Sequence, residues 1–136
     1  MELLKKMCEI HAPSGEELAM QEFLLSYISR KQNSWNVQPT LHHGNGFQDN
    51  LILVFGKPRT AIFAHLDSIG FTVKYKNEIV KIGGPVTTKN IVLVGEDSHG
   101  KIEGKIIKKK NTMYLDFDRE IDRGTSLTFK VNFRDT

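Results

Sequence analysis

Residues Leu51-Ile-Leu-Val-Phe-Gly-Lys-Pro-Arg-Thr-Ala-Ile-Phe-Ala-His-Leu-Asp67 contain two short apolar runs, Leu51–Phe55 and Ala61–Phe63, set apart by the turn formers Gly56 and Pro58. Neither run alternates apolar with polar residues. A strand that is apolar on both faces belongs in a sheet covered on both sides, so this stretch predicts the buried strands of an α/β sheet. The preceding sequence supplies helices for such a cover. Leu3, Leu4, Met7 and Cys8 recur at helical spacing. The run stops at His11-Ala-Pro13, because proline disfavours helical backbone in the residue before it. Ser14-Gly-Glu-Glu17 has the form of a capping box, with Ser14 accepting from the Glu17 amide and Glu17 returning to that of Ser14. It predicts a second helix with Leu18, Phe23, Leu24, Leu25, Tyr27 and Ile28 on its apolar side, ending in the polar Arg30–Ser34 segment.

After Trp35 the period becomes that of strands. Val37–Leu41, Asn50–Phe55, Thr60–Ala64 and Ile69–Tyr75 are rich in β-branched and aromatic residues, with turn signals at Gly44-Asn-Gly46 and Gly56-Lys-Pro58. Beyond Gly70 follow Phe71–Tyr75, Glu78–Ile82, Ile91–Val94, Lys101–Ile107, Met113–Phe117 and Leu127–Phe133, joined by turns such as Lys76-Asn77 and Ser98-His-Gly100. Short strands at this spacing, with no long helix between them, predict a small all-β barrel or sandwich. The expected organisation is therefore residues 1–68 as part of an α/β domain and residues 69–136 as an all-β domain. The first piece, with its few strands, would leave open sheet edges and reads as a part of something larger.

Length and composition narrow the functional classes. The chain has 136 residues, 39% hydrophobic and 26% charged, which is the make-up of a folded domain and not of a disordered segment. No apolar run approaches the roughly 20 residues of a membrane-spanning helix, and Glu9 and His11 interrupt any signal-peptide core, so no membrane partner and a cytoplasmic location are expected. The single cysteine, Cys8, fits a reducing compartment and rules out a Cys-based zinc cluster; its place on the apolar stripe predicts a buried, inert thiol. Nineteen Lys and Arg against sixteen Asp and Glu give a net charge of +3. Lys105-Ile-Ile-Lys-Lys-Lys110, lacking interleaved aromatics, then reads as a charged hairpin end and no nucleic-acid partner is expected.

Chemistry concentrates in Ala64-His-Leu-Asp-Ser-Ile-Gly70. His65 and Asp67 are two apart, so on an extended segment their side chains leave on the same side. A metal-bound histidine usually gives its other ring N–H to a carboxylate, and a His-x-Asp pair suits that use. The residues alone fit at least as well a histidine capping a strand end with Asp67 as a turn residue. His42 and His43 point to opposite faces of an extended segment and make poor joint ligands, His99 falls in a hairpin turn, and His11 precedes the capping box as local structure. Ser14 and Ser68 lack the G-x-S-x-G surroundings of a serine nucleophile.

His11-Ala-Pro-Ser-Gly-Glu-Glu17, Asp49-Asn-Leu-Ile52 and Ala64-His-Leu-Asp-Ser-Ile-Gly-Phe71, in this order, resemble the glutamyl or deblocking aminopeptidases, the dinuclear metallopeptidase family that includes the tetrahedral aminopeptidases. Gly83-Gly84, Ile91–Val94 and Gly100-Lys-Ile-Glu-Gly104 are similar to the β-barrel domain that this family inserts after its His-x-Asp strand. The resemblance implies the N-terminal part of a zinc-peptidase-like α/β catalytic domain followed by that barrel. It implies an enzyme that removes N-terminal residues from peptide substrates with two divalent metal ions, zinc or cobalt. His65 matches a metal ligand and Asp67 the catalytic aspartate that orients it. The family carries a glutamate where this chain has Ser68, and its remaining ligands and general base follow the barrel, so His65 is the one ligand expected within these 136 residues. A homo-oligomer is implied as well. The alternative expectation is a non-catalytic binding or assembly module derived from the family.

Overall fold

The structure, a computed structural model, describes residues 2–88 and 90–133; Met1, Lys89 and residues 134–136, at which the expected second domain ends, lie outside the described residues. Two helices, α1 (Glu2–Glu9) and α2 (Leu18–Lys31), precede a two-stranded antiparallel sheet of β1 (Thr40–His42) and β2 (Ile52–Val54). The rest is a closed barrel of six strands: β3 (Gly70–Val73), β4 (Glu78–Ile82), β5 (Val92–Asp97), β6 (Gly100–Lys109), β7 (Thr112–Asp116) and β8 (Ser126–Phe129), in the order β3-β4-β7-β6-β5-β8. Among the described residues no helix is long and apolar enough to cross a membrane.

The barrel follows from alternation and turn chemistry. In β6, Ile102, Gly104 and Ile106 face inward while Lys101, Glu103 and Lys105 face solvent. Phe71 and Val73, Ile79, Leu93, Leu115 and Leu127 bring the other five strands into the same core, and Ile121 fills it from the β7–β8 connection. Phe71 and Phe129 meet edge to face with ring centroids 5.6 Å apart, the favoured geometry for aromatic quadrupoles. Lys76 and Asn77, both at positive φ (53° and 59°), turn β3 into β4. Closure rests on β8, which pairs with β3 through Phe71↔Leu127 and with β5 through Val94↔Thr128.

Two inward glycines make the closure possible. A Cβ on Gly104 would stand 2.6 Å from the Asp116 carbonyl oxygen and 2.9 Å from Leu115 Cγ, and one on Gly95 would stand 2.6 Å from the Ser126 carbonyl oxygen. Small barrels have this little interior space, so some staves must approach backbone to backbone.

One end of the barrel is tied by polar groups. Arg119 donates both arms of its guanidinium to Asp97, Nη1 to Oδ2 at 2.6 Å and Nη2 to Oδ1 at 2.7 Å. The His99 and Asp122 amides donate to the same carboxylate, whose side chain has 0% exposure. Asn77 bridges to this loop, giving Nδ2–H to the Arg119 carbonyl and accepting from the Ile121 amide. The Arg119 guanidinium holds the Asp97 carboxyl far below the usual carboxylate range.

The α/β expectation is corrected. Among the described residues every strand ladder is antiparallel, and the one parallel contact is an isolated bridge, Pro13↔Ser68. The structure is mostly β and is not an α/β peptidase domain. Apolarity without alternation was the basis for placing Leu51–Phe55 and Ala61–Phe63 in a covered sheet. Covering a sheet takes helices with broad apolar faces, whereas α1 buries no residue and α2 buries Met20, Gln21 and Ile28. Ile52 and Phe55 are consequently exposed, and residues 60–64 form no strand, leaving Ile62 and Phe63 93% and 91% exposed. Cys8, expected to be buried, is exposed.

The capping box is corrected too. Helix α2 begins at Leu18 with no side-chain cap bond at Glu17; Glu17 Oε1 accepts from the Gly15 amide at 2.8 Å, and the Ser14 hydroxyl turns away to Asp67. The longer-range carboxylate competes successfully for the hydroxyl.

Gly104→Val should lower unfolding stability by about 2–3 kcal/mol through overpacking, read from the urea midpoint, while Lys101→Val on the outer face changes it by less than about 0.5 kcal/mol. Asp97, with its folded pKa depressed, contributes stability that is complete above its unfolded value of about 3.9 and is lost as pH falls toward the folded value. Asp97→Asn should therefore flatten the decline of the thermal midpoint below about pH 4, and an unchanged acid slope would exclude this origin.

Candidate functional site

The segment between β2 and β3 brings His65 and Asp67 to the N-terminal part of the chain. Its end is stitched down by backbone: the Ser68 amide donates to the Ala12 carbonyl at 2.7 Å, the Ser14 amide to the Ser68 carbonyl at 3.3 Å, and the Ser68 hydroxyl to the Ala12 carbonyl at 3.1 Å. Ala12 and Pro13 are buried at this junction. Gly70, the next anchor, lies so close to β8 that a Cβ would fall 2.7 Å from the Leu127 carbonyl oxygen.

From that base His65 and Asp67 meet side chain to side chain. His65 Nδ1 lies 2.9 Å from the Asp67 carbonyl oxygen and 3.2 Å from Asp67 Oδ1, and Asp67 Oδ2 accepts from the Ser14 hydroxyl. Both neighbours of Nδ1 are acceptors, which assigns a proton to Nδ1, so in the neutral ring the lone pair is on Nε2. The Ser14 hydroxyl, foremost, keeps the Asp67 carboxyl below its ordinary range, with the His65 ring acting in the same direction. The imidazole itself is 86% exposed. It stands on a coil and not at the end of a buried strand, as the sequence had suggested.

This dyad borders a cleft of about 480 Å³ that Glu17, Gln48, Asp49 and Asn50 also line. Within this lining Asn50 donates its side-chain amide to the Phe47 and Gln48 carbonyls, while Gln21 of α2 donates to the Asn50 carbonyl. Gln48 and Asp49 are both at positive φ, 46° and 60°. Such backbone costs a non-glycine residue energy, and it is tolerated best by Asp and Asn.

Among the described residues no three His, Cys, Asp or Glu side chains converge as a metal ion requires. One oriented imidazole does not hold an ion by itself, so these residues do not fit the implied dinuclear centre on their own, and no chemical step is assigned through a metal. His42 lies on β1 and His43 just after it, both exposed and apart from the dyad, and His99 approaches Asp122 at 3.6 Å on the barrel.

His11 has a larger place than its sequence context signals. Its Nδ1 and Nε2 each lie 3.0 Å from a hydroxyl of β8, Thr128 Oγ1 and Ser126 Oγ, and Ser126 donates to Glu16 Oε2 at 2.7 Å. Because Ser126 gives its proton to Glu16, it accepts from His11 Nε2–H. A carboxylate on the hydroxyl, instead of on the far ring nitrogen, is not the arrangement of a serine nucleophile; the cluster fastens the N-terminal segment to the barrel. Partners more than a hundred residues away left no local signal for it.

Neither protein-family models nor curated proteins give a match to this chain.

Proposed function

We propose that this chain is the part of a metal-dependent aminopeptidase that carries one oriented histidine ligand, His65, with the other donors supplied from outside these 136 residues. The observation that supports the reading is the dyad: Asp67 occupies Nδ1 of His65, and His65 borders a cleft that Glu17, Asp49 and Asp67 also line. A neutral imidazole with its second nitrogen fixed by a carboxylate is the usual state of a metal-ligating histidine. The ordered motifs His11–Glu17, Asp49–Ile52 and Ala64–Phe71 support the same reading. Peptides with a free N-terminus are the substrates on this view, two zinc or cobalt ions the cofactors, a homo-oligomer the assembly and the cytoplasm the location.

A second reading, a non-catalytic assembly module, is favoured by Ile62 and Phe63, whose side chains are almost fully exposed. Apolar groups left in water this way are typical of surfaces that associate.

The test is peptidase assay of the full natural gene product, with zinc or cobalt, on one peptide in free and N-acetylated forms. The expected result is release of the first residue from the free form alone, lost with chelator and reduced by more than about tenfold in His65→Ala, since losing only a ligand's outer-shell partner already costs about 10–100-fold. A metal-loaded product that cleaves no unblocked peptide, and whose light-scattering mass is a multiple of one chain that Phe63→Asp returns to one, would replace this reading with the second.

A further inference from the structure

We propose that Ser14 is the positioning residue of the His65 site: by donating to Asp67 Oδ2 it holds the carboxylate where its other oxygen, Oδ1, keeps the proton of the neutral His65 ring on Nδ1 and the lone pair on Nε2. The proposal rests on reading His65 as the functional imidazole.

The geometry separates Ser14 from an incidental contact. Asp67 is partly exposed and has no other side-chain partner than Ser14 and His65 among the described residues. A carboxylate in water turns freely about its last bond, which would leave Nδ1 with the backbone carbonyl alone. Ser14, in contrast, is placed without reference to His65. Its amide is fixed on the Ser68 carbonyl, its neighbour Pro13 bridges Ser68, and Glu16 N–H closes a turn onto the Pro13 carbonyl at 2.8 Å. The hydroxyl thus reaches Asp67 from a backbone whose position is already set. An ionised carboxylate can only accept, so the direction of the bond is determined, and a charge-assisted bond of this type is stronger than a neutral one. The order of support runs from the N-terminal backbone to Ser14, then to Asp67, then to the ring.

The readout is the tautomer of His65, followed by two-bond 1H–15N spectra of the 136-residue chain labelled with 15N-histidine. The spectra are recorded at about pH 8, where a free imidazole is neutral. Wild type should show the Nδ1–H form in excess. Ser14→Ala should lower the ratio of Nδ1–H to Nε2–H about fivefold, the effect of losing one net hydrogen bond, and Ser14→Thr, which retains the hydroxyl, should keep the wild-type ratio. The Ser14 side chain is exposed and its backbone bonds persist in both variants, so unchanged barrel amide shifts verify the fold. A ratio indifferent to Ser14→Ala overturns the proposal, as does an equal fall in Ser14→Thr. No metal enters this measurement. A Ser14-dependent tautomer in a protein whose metal-loaded parent hydrolyses nothing sinks the peptidase reading and sustains the role of Ser14; an active parent with an indifferent tautomer does the reverse.

Discussion

Everything in this molecule depends on β8 having two partners. Ser126–Phe129 pairs with β3 on one side and β5 on the other, and without it the remaining five strands would be an open, curled sheet with two exposed edges. The same four residues carry the hydroxyls that hold His11, so the strand that closes the core also receives the N-terminal segment. Its backbone accepts the close approach of Gly70 and Gly95. One short strand, rich in hydroxyl and apolar residues in alternation, therefore joins the well-buried core of the barrel to the region bearing the cleft.

The two regions are built on different physics. The barrel is held by interdigitated apolar side chains whose burial is the main favourable contribution to folding. The first 68 residues have few buried side chains and hold their shape largely through specific polar bonds: His11 to β8, Ser68 to Ala12, Gln21 to Asn50, Ser14 to Asp67. Each such bond contributes only about 1 kcal/mol net in water. Placement of the cleft is thus a matter of many weak directional contacts, and its precision comes from their number.

What the sequence disclosed follows that division. Where alternation and turn residues both spoke, as in Lys101-Ile-Glu-Gly-Lys-Ile106 or at Lys76-Asn77, the strand and its inward face were legible. Whether those strands closed into a barrel or stacked as a sandwich was not, because closure depends on a nonlocal choice of partner by β8. Leu51–Phe55 and Ala61–Phe63 misled for a related reason: a continuous apolar run says what a segment would bury and nothing about whether anything is there to cover it. Ser14 illustrates the same limit at one residue. Its spacing to Glu17 is that of a capping box, yet a carboxylate from beyond β2 takes the hydroxyl. His65 and Asp67 were visible as a pair because their contact is local, whereas Ser14 and His11 act through partners far along the chain.

The connection from β2 to β3 has a kinematic consequence. It is fastened at Ser68 and Gly70, and the imidazole takes both its bonds from a residue only two positions along. A swing of residues 56–64 therefore changes the approach to the site while His65 and Asp67 keep their places, because the Ser14 hydroxyl holds Asp67 and Asp67 holds the ring. Internal geometry and access become separate variables, the first set by Ser14, Asp67 and His65 and the second by the segment that carries the exposed Ile62 and Phe63.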